Sequence, residues 1–205
     1  MPFTDNPARP RGRKPPRLLL LACTLLAAFV CAPVTSAEEA GQALWDKLRA
    51  GTHFAIMRHA LAPGFGDPDN FSLGDCATQR NLSDEGREQA RRIGARFRDN
   101  GIDRAALYSS QWCRCRETAE LLGIGEVQEL PALNSFFRRF EREEAQMRDL
   151  RKWLAAADPE DPLVLVTHQV VITSLTGVFP QSGEVVVVRR TDNGDYEVAG
   201  TIRTE

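Results

Sequence analysis

Leu163-Val-Leu-Val166 is apolar at four successive positions and runs directly into Thr167-His168. A strand with no polar side is stable only where both of its faces are covered, which is the setting of a parallel sheet under helices. The rest of the sequence fits that requirement. His53-Phe-Ala-Ile-Met57 reads as another buried strand, running into Arg58-His59. Ala105-Ala-Leu-Tyr108 is a further one, ending at Ser109-Ser110, and Glu126 to Leu130 a shorter one. Helical segments lie between them. Ala40 to Ala50 is one. Another runs from Asp84 to about Asn100, capped by Ser83, with Ala90, Ile93 and Phe97 on one face and Asn100-Gly101 as its stop. A third runs from about Trp112 to Leu122, and a fourth over 137–157 with Met147, Leu150 and Leu154 as its apolar stripe. Val170 to Gly177 is a short fifth, and Glu184 to Arg190 with Tyr196 to Ile202 form a hairpin around Asp192-Asn-Gly194. Strands alternating with helices make an α/β fold with a mostly parallel sheet covered on both sides.

The first 37 residues stand apart. Arg9, Arg11, Arg13, Lys14 and Arg17, with Asp5 the one acid, precede a stretch from Leu18 to Ala37 without any charge. Its apolar part, Leu18 to Ala32, is broken by Pro33, and Thr35-Ser36-Ala37 offers small residues before Glu38-Glu39. A basic start, a short apolar run and a small-residue site make a secretory signal peptide. Residues 1–37 are therefore expected as a cleaved leader and 38–205 as the mature domain, periplasmic or secreted. The apolar run falls short of the roughly 20 residues of a spanning helix, so membrane contact is expected only through an uncleaved leader.

At 42% hydrophobic and 26% charged, the chain is not of disordered, collagen-like or coiled-coil composition. Removal of the leader takes five basic residues and one acid with it, moving the net charge from -2 to about -6. That balance argues against a nucleic-acid partner, and an anionic ligand has to be met by a local basic pocket. Three cysteines remain, Cys76, Cys113 and Cys115, which in an oxidising compartment suits one disulfide and one thiol.

Ligands of open α/β sheets sit beyond the carboxyl ends of the strands. Three strands here end in polar groups: Arg58-His59, Ser109 followed by Arg114, and Thr167-His168. A single histidine or arginine in such a place is most often a polar cap or a solvated charge. Two histidines and two arginines brought to one edge suit phosphoryl chemistry. Arg58 and Arg114 would hold a phosphoryl group by paired hydrogen bonds. His59, neutral beside arginines, would attack phosphorus, and His168 would donate to the equatorial oxygens. Ala62 to Thr78, rich in Gly, Pro and Asp, is expected as a loop over this pocket that selects the substrate, its acids repelling highly phosphorylated ligands.

Met57-Arg58-His59-Ala60 resembles the Arg-His-Gly signature of the histidine phosphatase superfamily, phosphoglycerate mutase-like branch 1. Tyr108 to Glu120, containing Ser109-Ser110, Arg114 and Thr118-Ala119, resembles that family's second motif. Val166-Thr-His168-Gln169 resembles its third, and Arg80-Asn-Leu82-Ser83-Asp-Glu-Gly86 its helix-start motif. The resemblance covers about residues 53–178. It implies a three-layer α/β/α sandwich and a phosphatase acting on a small phosphorylated substrate or a phosphoprotein. It also implies a covalent phosphohistidine on His59, a phosphate pocket of Arg58, Arg114 and His168, and a further contact from Arg80, with no metal or organic cofactor. Ala60, Gln111-Trp112 and Gln169 depart from the family pattern. So does the usual glutamate proton donor after the third strand, where this chain reads Leu133-Asn134-Ser135. Asp67, Asp75 and Glu184 are the substitutes to consider, each more often a turn or surface carboxylate. The family pattern has a variable exposed residue at position 113 and a small packed one at 115. With 113 and 115 on different helix faces, this points to a Cys76–Cys113 disulfide and a buried Cys115 thiol.

Three other readings stand beside it. A phosphate-ligand-binding protein on the same fold, with little turnover, is favoured by the missing acid. A cysteine-based phosphatase needs Arg six positions after its cysteine, but Leu82, Ala119 and Leu121 stand there. A Cys-x-Cys metal site at 113 and 115 lacks a second ligand pair.

Overall fold

β4 (Leu163–Thr167) is buried at every position and lies inside a six-stranded sheet of order β3-β2-β4-β1-β5-β6. This computed structural model describes residues 1–2 and 36–203. β1 (Phe54–Arg58) and β2 (Ala106–Ser109) flank β4 in parallel, and β3 (Val127–Glu129) extends the parallel set beyond β2. β5 (Val185–Arg190) and β6 (Tyr196–Ile202) are added antiparallel as the hairpin. The chain therefore has a mostly parallel α/β sheet. The expected leader lies outside the described residues apart from its first two and last two, and Ser36 and Ala37 open the first helix.

Strand side chains alternate between two apolar layers. On one face Ala55, Met57, Val164 and Val166 meet α1 (Ser36–Arg49), α2 (Asp84–Asp99) and α3 (Cys113–Leu122) through Trp45, Phe97 and Leu122. On the other, Phe54, Ile56, Leu163 and Leu165 meet α4 (Glu143–Ala156) and α5 (Gln169–Thr176) through Met147, Leu150 and Ile172. Each large side chain fully buried in these layers contributes about 1.5–3 kcal/mol, enough for the two layers to fix the sheet's register. The result is a three-layer α/β/α sandwich.

Two glycines set how closely α2 approaches its neighbours. A Cβ on Gly86 would lie 2.0 Å from Leu61 O, and one on Gly94 2.0 Å from Leu122 O. Ser83 caps α2 by accepting from Gly86 N–H at 3.1 Å, while its own N–H donates to Leu61 O at 3.1 Å. The helix start is thereby fastened to the chain two residues past His59.

The helix read over 137–157 begins only at Glu143. Phe136 is buried and anchors the segment before it, and Arg138 takes a left-handed φ of 63°, which a helix cannot contain. Residues 134–142 instead form a wall of the cavity described below.

Candidate active site

The carboxyl ends of β1, β4 and β2 lie side by side and deliver His59, His168 and Ser110 to one point, with Arg114 arriving from the first turn of α3. A cavity of about 1190 Å³ opens there, lined at its base by Arg58, His59, Arg80, Arg114 and His168. The structure thus brings together at one cavity all five of the residues that the sequence reading assigns to a phosphate pocket.

His59 is 2% exposed. Its Nδ1 lies 2.7 Å from Ala60 O, an acceptor only, so Nδ1 carries the proton and Nε2 keeps its lone pair. Arg114 Nε donates toward that lone pair at 3.3 Å. Thr118 Oγ1 accepts from Ala60 N–H at 3.0 Å, which helps to hold the residue whose carbonyl orients the ring. Burial first, then the charge of Arg114, holds the His59 imidazolium well below its usual range. The same two causes, with His59, Arg80 and Arg58 adding, lower His168. Both rings are neutral at pH 7.

Arg114 is 3% exposed and bonded along two edges. Its tip, Nη1 and Nη2, donates to Asp67 Oδ1 at 2.7 Å and Oδ2 at 3.2 Å. Its side edge, Nε and Nη2, faces His59 Nε2 and, at 3.5 Å, His168 Nδ1. Arg58 Nη1 donates to Pro180 O at 3.1 Å, while its buried Nε has no partner within the described protein. Arg80 donates to Gly66 O at 2.8 Å and to Ala62 O, so it anchors the 62–78 loop while also lining the cavity. Burial, then Arg114, lowers Arg80 to about 10.

His168 Nε2 lies 2.9 Å from Ser110 Oγ, which is 3.2 Å from Asn134 Oδ1. Asn134 also accepts from Gln111 N–H at 2.9 Å. The residue at the expected position of the proton donor is therefore part of the brace behind His168. The substitute acids fare no better. Asp67 is held as a carboxylate: burial alone would raise it, but the hydrogen bonds and charge of Arg114, with Arg80 N–H and Trp112, carry it below its usual range. Asp75 is exposed and caps a 3₁₀ turn through Ala77 N–H. Glu184 accepts from Gln181 N–H at 2.8 Å and does not line the cavity. Of the loop's acids, Asp67 is neutralised by Arg114, which leaves Asp69 and Asp75 as the exposed carboxylates of the loop.

Cys76 and Cys113 are joined, with Cα atoms 5.7 Å apart, and Cys115 is a buried thiol. Burial pushes that thiol up to about 12, and its sulfur lies 3.5 Å from His168 Nε2. Gln79 Oε1 accepts Cys113 N–H at 3.0 Å, adding to the tie between loop and helix. Trp112 bridges the same elements: Nε1 donates to Asp67 Oδ2 at 3.1 Å, and its ring stacks on Phe71 at 5.1 Å. Sequence reading missed the roles of Asp67, Thr118, Asn134 and Trp112. Of these, Thr118 and Trp112 lay within a quoted motif, where a signal could have been found. Among the described residues, no group of three or more His, Cys, Asp or Glu side chains is placed to hold a metal ion.

A buried pair of neutral histidines beside two arginines has the chemistry to meet an anionic group. The family model of the histidine phosphatase superfamily (branch 1) matches residues 55–141, taking in Arg58-His59, Arg80 and Arg114, so this stretch of the chain is similar to that superfamily. Solved structures with the same fold include the protein histidine phosphatase SixA complexed with tungstate (16% identity, 74% of this chain and 97% of that one, TM-score 0.50). A phosphoserine phosphatase mutant from Entamoeba histolytica in complex with phosphoserine is also similar (12%, 75% and 98%, 0.53). So is mycobacterial hydrolase 1 (17%, 72% and 96%, 0.53). No curated protein matches the chain.

Proposed function

We propose that the protein is a phosphatase that hydrolyses a phosphate monoester or phosphoramidate through a covalent phosphohistidine on His59. One observation carries the reading: His59 Nδ1–H is committed to Ala60 O, and Nε2 holds its lone pair within reach of Arg114 Nε at 3.3 Å. In the first step Nε2 bonds to phosphorus and the leaving group departs with the electrons of its bond. In the second, water attacks the phosphohistidine and frees inorganic phosphate and His59. Arg58, Arg114 and His168 stabilise the charge on the equatorial oxygens in both steps, with Arg80 as a further contact. The Cys76–Cys113 disulfide and the basic-then-apolar N-terminal sequence support a periplasmic or secreted setting. Small phosphorylated molecules and phosphoproteins are the substrates to be screened.

The test is hydrolysis of an aryl phosphate, with acid-labile label trapped on the protein. His59→Ala is expected to abolish both turnover and labelling and to leave thermal unfolding intact. Full activity in that variant would sink the mechanism. A second reading, a phosphate-ligand-binding protein with little turnover, is favoured by the absence of a free carboxyl at the cavity's base. Phosphate binding with no hydrolysis by the wild type would select it.

A further inference from the structure

Asp67 reaches the site from a loop that has no helix or strand to place it. The backbone turns through Gly64 at φ 92° and Gly66 at φ 70°, conformations in which a Cβ is strained. The carboxylate then meets four donors: Arg114 Nη1 and Nη2, Arg80 N–H at 3.1 Å and Trp112 Nε1 at 3.1 Å. Its side chain is only 17% exposed. Three roles are open to a carboxylate so placed: a proton donor, a phosphate mimic that blocks the site, or a holder of Arg114.

The geometry separates them. A guanidinium offers two usable forks, the tip and the side edge. Asp67 takes the tip, while the side edge points between His59 Nε2 and His168 Nδ1, whose rings lie 5.6 Å apart. A phosphoryl group attached to Nε2 would lie against the side edge, where Asp67 is not. A carboxylate receiving four hydrogen bonds and paired with a buried arginine has no proton to give.

We propose that Asp67 is a positioning residue: by gripping the tip of Arg114 it aims the side edge at the phosphoryl group on His59 and neutralises one of the pocket's arginine charges. This rests on the phosphatase reading above. The action is on the transition state, because a side edge held in place needs no reorganisation when charge develops on the equatorial oxygens. Without Asp67 the tip of Arg114 would keep only Arg80 O, at 3.2 Å from Nη1, beside the long contacts of the side edge to the two histidines.

The experiment compares Asp67→Asn, Arg114→Lys and the double variant on aryl and alkyl phosphate esters. Binding of inorganic phosphate and orthovanadate is measured alongside. Asp67→Asn is expected to lower kcat by about 10-fold or more, equally for both ester classes, with KM within about threefold. Added to Arg114→Lys, it is expected to have almost no further effect, since the fork it holds is already gone. Vanadate affinity should fall by about 10-fold while phosphate affinity stays within about threefold. A loss that grows with the leaving group's pKa would make Asp67 the general acid and overturn the proposal. A rise in kcat/KM would make it a block. Effects that multiply in the double variant would show that it does not act through Arg114. If the wild type turns over no ester, the phosphatase reading falls. The vanadate-against-phosphate contrast still decides whether Asp67 positions Arg114.

Discussion

Breaking the Cys76–Cys113 link should lower stability far more than activity. The two cysteines are 37 residues apart in the chain. Closing a loop of that length removes unfolded-state entropy equivalent to about 4 kcal/mol at 25 °C. For a domain of this size, where each kcal/mol moves Tm by about 2–4 °C, that is a fall of about 8–15 °C. The pocket has other ties. Arg80 donates to Gly66 O, Gln79 accepts Cys113 N–H, and Asp67 grips Arg114, so the folded loop stays over α3 without the sulfur bridge. Once folded, the reduced protein is expected to retain kcat/KM within about threefold at 20 °C. The assay is thermal unfolding with and without reductant, on wild type and on Cys76→Ala/Cys113→Ala. Reductant should lower Tm in the wild type only, since Cys115 is a free thiol in both. A wild-type Tm unmoved by reductant, with both thiols then alkylated, would refute the loop-entropy argument. A collapse of activity at unchanged Tm would show that the bridge, and not the hydrogen bonds, holds the loop.

Two more outcomes follow from the site. Arg114→Lys keeps the charge but loses both forks, and kcat/KM should fall by about 10²-fold or more. Arg116→Ala should change it less than about twofold, because Arg116 is exposed on the far side and pairs with Glu129 at 3.3 Å; equal losses in both would show the wrong arginine in the pocket. Stability should fall as pH drops below about 6.5. His59 and His168 stay neutral when folded but take up protons when unfolded, so each removes up to about 1.4 kcal/mol per pH unit between 6.5 and its lowered folded value. His53, also lowered, acts in the same direction. Urea unfolding at pH 7.5, 6.5 and 5.5 reads the slope, and His59→Gln should reduce it. A flat profile would mean that the rings are charged in the native state.

Much of the fold was legible because its signals are local. A run such as Leu163 to Val166 has one stable environment, and Ser83, Asn100-Gly101 and Asp192-Asn-Gly194 mark their own helix ends and turn. The start of α4 was not legible. Residues 137–142 carry charge and aromatics in proportions a helix accepts, with no Gly or Pro to break them. What breaks them is tertiary: Phe136 is drawn into the core, and Arg138 turns left-handed at the cavity mouth, its guanidinium 5.7 Å from the Phe137 ring. The site divides in the same way. His59, Arg114 and His168 follow directly from strand ends, so their convergence could be read from topology. Asp67 is 47 residues from Arg114 in sequence, and nothing near either one encodes their pairing.

The placement of carboxylates then bears on the leaving group. Of the acids lining the cavity, Asp69, Glu141 and Asp149 are exposed, and Asp67 is tied to Arg114. Asn134, at the end of the third strand's connection, has an amide that donates to Gln111 Oε1 at 2.9 Å and no acidic proton. Protonating an alkoxide as it leaves needs an acid within hydrogen-bond reach whose pKa lies near the working pH. Among the described residues at the cavity's base, neither histidine carries a spare acidic proton at pH 7 and no carboxyl does. On the proposed mechanism, transfer to His59 would therefore be favoured from groups that depart without such help, aryl oxygens and phosphoramidate nitrogens before simple alkyl oxygens. On the same mechanism the arginine edges would stabilise the phosphoryl oxygens in every case. Discrimination between substrates thus falls on the leaving group and on the walls that receive it: the Phe71–Trp112 stack and the Phe65–Phe137 contact, 4.9 Å between ring centres, across the cavity mouth.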